Sequence, residues 1–164
     1  MEPRQYWHTY LDDHRAGASG GTALAKRILR SNRDTPWASQ LEEVVKAITE
    51  DVITLDEVRT SVGASGGELK RVAARVAERV GRLKPNGHIA SYSPLSRVLE
   101  LETLMSALQG KQRLWVALRM AAPSHPELSA FDFDALEASG RRQSEMLGLV
   151  HEWAVEEMLG PQGD

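Results

Sequence analysis

The chain has 164 residues, of which 41% are hydrophobic and 26% charged; its formal net charge is −3 and it contains no cysteine. That length supports one domain, 1–164, with a core of its own, and the composition is that of a globular chain, not a low-complexity one. Without cysteine there are no disulfides, thiolate nucleophiles or zinc fingers, so any metal would rest on His and carboxylate ligands, and the mild negative charge offers no general field for nucleic acid.

The opening "MEPRQYWHTYLDDH" lacks the basic segment and apolar run of a secretory signal. No stretch approaches the roughly 20 apolar residues that span a bilayer, so a cytoplasmic protein without membrane contact is expected. Arg in excess of Lys, with frequent Ala, Val and Gly, is the usage of a GC-rich bacterial genome. From residue 3 to 31 two lines recur at helical spacing, Trp7–Leu11–His14–Ala18–Gly21–Ala25–Ile28 and Tyr6–Tyr10–Asp13–Gly17–Gly20–Leu24, and together they predict one wide inward face. Glycines inside a helix cost about 1 kcal/mol each relative to Ala, and close contact with a second helix is the expected compensation. A second helix is predicted over 39–62, opened by the capping-box spacing of "SQLE" at Ser39 and stopped by Gly63, with Leu41, Val44, Val45, Ile48, Val52, Leu55, Val58 and Val62 inward.

A connection over 63–93 follows, carrying a shorter helix at about 66–84 that "SGGE" would open and "KPNG" would close. Its Arg- and Lys-rich run is interrupted by Glu78 and reads as a solvated face, so no nucleic-acid partner is expected. Ser93 then caps a helix over 94–121 with Pro94 in its first turn, "PSHP" breaks it, and the last helix covers 134–159 with Leu136, Gln143, Leu147, Val150, Ala154 and Met158 inward.

Two long helices, a long connection with a short helix, then two more long helices: this layout resembles the ferritin-like superfamily, an all-α, antiparallel four-helix bundle with a crossover. The resemblance implies a bundle core able to hold two iron or manganese ions through Glu residues and E-x-x-H pairs. The residues three before His8, His14, His88, His125 and His151 are Gln5, Leu11, Pro85, Ala122 and Gly148, so the chain has no E-x-x-H and the superfamily's ligand set does not carry over.

Helical projection instead places Asp13, His14, Asp51, Gln112 and Gln143 inward, with Arg113, Glu102 and His151 toward the edges. At about 1.5 Å per residue, Asp13, Asp51, Gln112, Arg113 and Gln143 lie roughly 14–16 Å from one end and share a layer, while Glu102 and His151 share another. The first layer reads as a buried hydrogen-bonded network, in which Arg113, His14 and the amides satisfy Asp13 and Asp51, while Asp12 is solvated. The metal alternative is a divalent ion, iron or manganese, on Asp13, His14 and Asp51. No G-x-S-x-G elbow or phosphate-cradling glycine loop is present. The expected function is therefore non-enzymatic and cofactor-free, acting through protein–protein contacts that include self-association. A divalent-metal protein or dimetal-carboxylate oxidoreductase is the second class, and a binder of a small molecule between helices the third.

Overall fold

The structure, a computed structural model, describes residues 3–64 and 92–160. The short helix expected at 66–84 lies outside the described residues. Among the described residues there are four long α-helices and no strand: α1 (Pro3–Ser31, 29 residues), α2 (Ala38–Ser61, 24 residues), α3 (Pro94–Ala121, 28 residues) and α4 (Phe133–Leu159, 27 residues). Two single-turn 3-10 helices, Ala122–Ser124 and Pro126–Leu128, occupy the proline-punctuated link between α3 and α4.

The helix ends follow from local chemistry. The Ser93 hydroxyl accepts from Ser96 N–H at 3.1 Å with Pro94 at the first helical position, and the Asp132 carboxylate accepts from Ala135 N–H at 2.9 Å to open α4 one residue earlier than the periodicity suggests. α2 begins at Ala38, not at Ser39. Its cap is Trp37, with no side-chain hydrogen bond, and the Ser39 hydroxyl donates to Gln40 Oε1 at 2.8 Å, so the capping-box spacing is not what starts this helix. A tight turn starts it instead: Thr35 N–H and the Thr35 hydroxyl both donate to Asn32 C=O, and Ala38 N–H to Thr35 C=O. At the other end of α2, Gly63 takes φ 71°, which lets Ala64 N–H reach Arg59 C=O at 2.8 Å and Gly63 N–H reach Thr60 C=O at 3.1 Å. This pair of hydrogen bonds satisfies carbonyls that the helix leaves open, and only glycine adopts that φ without strain.

α1 packs on α2 and α3, and α4 packs on α3 and α2, which makes a square with α1 and α4 on one diagonal. Contacts fix the directions. His8 of α1 reaches the Val62 carbonyl beyond the end of α2, whereas Asn32 past the end of α1 meets Arg97 at the start of α3 and Tyr92 before it. α1 and α2 are therefore antiparallel, α3 runs parallel to α2, and α4 returns antiparallel to α3, with Trp153 under Arg97. Ala64 and Tyr92 consequently stand at opposite ends of the bundle.

The apolar positions of three helices keep 3-4 spacing: Leu41, Val44, Ile48, Leu55, Val58 and Val62; Leu101, Leu104, Leu108, Trp115 and Leu118; Phe133, Leu147, Val150 and Ala154. Such spacing keeps one seam per helix aimed at its partners over many turns. It builds two core clusters. One, around Ala25, Ile28, Val44, Leu101, Leu104 and Val150, fills the end near Asn32; the other, around Leu11, Leu55, Val58, Trp115, Leu118, Leu128 and Phe133, fills the end near Val62. In each of the three seams the position between the clusters is polar: Asp51, Lys111 and Gln143.

Candidate functional site

These three side chains meet. The Lys111 ammonium donates to Asp51 Oδ2 and to Gln143 Oε1, and Gln143 Nε2 donates to the same Asp51 oxygen at 3.0 Å and to Ser139 Oγ at 3.2 Å. Burial pulls Lys111 below the usual lysine range, and the Asp51 charge and hydrogen bond offset only part of that. An ammonium and a carboxylate removed from water need such mutual neutralisation, with the amide taking up the remaining donor and acceptor capacity.

Beside the triad, α1 is nearly without side chains. Gly17, Ala18 and Gly21 face α3 across a cavity of about 410 Å³ whose floor is Asp51 and Lys111 and whose walls are Ile48, Leu55, Leu104, Leu108, Leu114 and Trp115. Asp13, Gly17, Ala107 and Gly110 are exposed and form its mouth, with Tyr10 and His14 at one edge. The glycine strip thus does not bring the helices into close contact along its length. A Cβ on Gly21 would stand 4.0 Å from the Ala107 methyl, but one on Gly17 would meet nothing within 4 Å.

His14 makes no hydrogen bond with a described residue; Tyr10 packs edge-on against its ring at 4.5 Å. Burial lowers its pKa below 6.5 and the neighbouring Asp13 carboxylate offsets only part of this, so the imidazole is neutral at pH 7. Trp115 is wholly buried in the cavity wall, and its indole N–H finds no acceptor among the described residues.

Several expected positions move. Asp12, expected in solvent, is buried at 5% exposure, and Asp13, expected inward, is exposed. The reason is Arg59 of α2, itself 8% exposed, whose Nη2 and Nε bind Asp12 Oδ1 at 2.5 and 3.2 Å while Nη1 reaches Asp56 at 3.0 Å. Arg15 of α1 closes the ladder on Asp56 at 2.8 Å. Asp56 loses hydration to burial, but the hydrogen bonds and charges of the two arginines outweigh that and hold its pKa below 3.8. Arg113 does not enter the inner layer: it is exposed, and the cation there is Lys111. Gln112 lies in the α3–α4 seam, donating to Gly140 C=O at 3.0 Å and Ser144 Oγ at 2.8 Å. Glu102 and His151 do meet, at 3.3 Å, on a more exposed stretch of that seam.

Asp13, His14 and Asp51 all border the cavity, but Asp51 is engaged by Lys111 and Gln143 and Asp13 sits at the mouth. Among the described residues no three His, Asp or Glu side chains converge as a metal-binding group. Lys111 is legible in the sequence from the seam of α3, where 101, 104, 108, 111, 115 and 118 alternate steps of three and four; projection at 100° per residue drifts from that seam and selects Gln112 and Arg113 instead. No comparable signal marks Asp12, whose burial depends on a partner on another helix. No family model matches the chain, and no curated protein or solved structure does either. No helix among the described residues is long and apolar enough to cross a membrane.

Proposed function

We propose that this chain is a ferritin-like bundle that binds a small, predominantly apolar molecule between α1, α2 and α3. The observation that carries the reading is the 410 Å³ cavity with aliphatic and indole walls and polar groups confined to its floor and mouth. Ligand sites of about 300–1,000 Å³ have this constitution, mostly apolar with a few placed polar groups, and a sealed apolar cavity of about 150 Å³ already accepts benzene. The ferritin-like part rests on direction: parallel α2 and α3, with Ala64 and Tyr92 at opposite ends, is what a long crossover between two helical hairpins requires.

The test is a titration with 2-ethylnaphthalene, followed by tryptophan fluorescence and by melting temperature. Saturable quenching is expected, because Trp115 forms part of the wall, together with a rise in melting temperature that follows ligand concentration as binding to the folded state demands. Gly17→Phe, which sets a ring in the mouth, should abolish both effects. Absence of quenching and of any thermal shift in the unaltered protein would sink the reading.

A further inference from the structure

The polar floor narrows the ligand, an inference that rests on the cavity being a binding site. Three charged side chains line the cavity: Asp13 at the mouth and the Asp51–Lys111 pair at the floor. An ammonium carries three N–H donors. Asp51 Oδ2 takes one and Gln143 Oε1 another, and no described residue accepts the third, although the Lys111 side chain keeps 16% of its surface exposed and lines the cavity floor. The floor therefore holds one donor to spare and no net charge to spare.

We propose that the cavity selects an uncharged apolar molecule carrying one oxygen acceptor, a ketone or a comparable carbonyl compound, whose oxygen accepts from Lys111 Nζ. An anion is disfavoured on two counts. The positive charge of Lys111 is already matched by Asp51, and a carboxylate would enter past Asp13, adding negative charge to a lining that carries two carboxylates against one ammonium. His14, neutral at the mouth, does not redress that balance. A cation would be pushed against the Lys111 ammonium in surroundings too apolar to screen the repulsion. A hydrocarbon suits the walls but leaves the third N–H without an acceptor, and an unpaired buried donor is costly.

Three near-isosteric probes separate the hydrocarbon, the carbonyl compound and the anion: 2-ethylnaphthalene, 2-acetylnaphthalene and 2-naphthoate. The ketone should bind about threefold to tenfold more tightly than the hydrocarbon, the difference one net hydrogen bond makes, and the carboxylate should bind most weakly. In the doubly neutral variant Asp51→Asn/Lys111→Met the ketone's advantage over the hydrocarbon should vanish, whatever the affinity of either for the altered cavity. A measurement on the unaltered protein stands apart from whether that variant folds: the carbonyl stretch of bound 2-acetylnaphthalene should move to lower wavenumber than in a hydrocarbon solvent. Equal binding of ketone and hydrocarbon, a preference for the carboxylate, or an unshifted carbonyl band overturns the assignment and leaves the apolar cavity standing as a site. Failure of all three probes to bind removes the cavity reading and this assignment with it.

Discussion

Asp12 and Asp13 are adjacent and chemically identical, yet they live in different media. Asp12 gives its carboxylate to Arg59 between α1 and α2, both groups more than nine-tenths buried, whereas Asp13 lies exposed at the mouth of the cavity. Without Asp12, the buried Arg59 keeps only the half-exposed Asp56 at 3.0 Å and leaves its Nε and Nη2 without their acceptor, so Asp12→Ala should destabilise the protein by about 2 kcal/mol. Asp13→Ala should change stability by no more than about 0.5 kcal/mol, as an exposed substitution that breaks no pairing does. Chemical denaturation of the two variants side by side decides the matter, and comparable losses would contradict this orientation of α1. The same contrast shows what a helical wheel omits. On α1 alone, positions 12 and 13 can be ranked only by the apolar line they join, and Asp13 falls on such a line; it is the Arg59 charge on α2 that turns Asp12 inward.

At the scale of the helices, glycine has opposite meanings on α1 and α4. Gly17 has nothing within 4 Å of a would-be Cβ, while Gly140 faces Gln112 Cγ at 3.1 Å, where the α3 amide crosses to donate to the Gly140 carbonyl and to Ser144. Gly17→Ala should therefore gain up to about 1 kcal/mol from helix propensity alone. Gly140→Ala should lose stability despite the same propensity gain, because the methyl pushes Gln112 back by a few tenths of an ångström and strains both of its hydrogen bonds. Thermal melts of the two variants, expected to shift in opposite directions, check this; a gain at both positions would mean that the α3–α4 seam tolerates separation. Propensity alone makes a close helix contact the natural expectation for the α1 glycines, but a strip of small residues can equally leave space unfilled, and only the neighbour's side chains distinguish the two. What the sequence does carry is the helices themselves: the caps at Ser93 and Gly63, the proline break after Ala121 and the 3-4 seams are local signals and hold in the structure. Ser39 fails as a cap because the turn at Asn32–Thr35 has already started the helix.

For the molecule as a whole, the polar layer is the joint between two apolar clusters, and it is the place where pH reaches the fold. Lys111 and His14 both have pKa values depressed by burial, so this layer resists added positive charge. The sign for His14 is definite: its folded pKa lies below the unfolded value of 6.5, the unfolded chain therefore binds more protons between the two, and stability contributed above pH 6.5 is lost as the pH falls through that interval. Glu100 acts in the other direction. Its burial, only partly offset by Arg27 and Tyr92, raises its pKa above 4.5, so the folded state holds that proton more tightly and gains on acidification at lower pH. Asp56, depressed below 3.8, enters only in stronger acid. Stability measured by denaturation should thus decline as the pH falls below about 6.5, and His14→Gln, which keeps a polar side chain but cannot take up a proton there, should flatten that decline. A slope that survives His14→Gln unchanged would place the acid sensitivity elsewhere, whereas a flattened slope would assign it to protonation of His14 at the edge of the cavity.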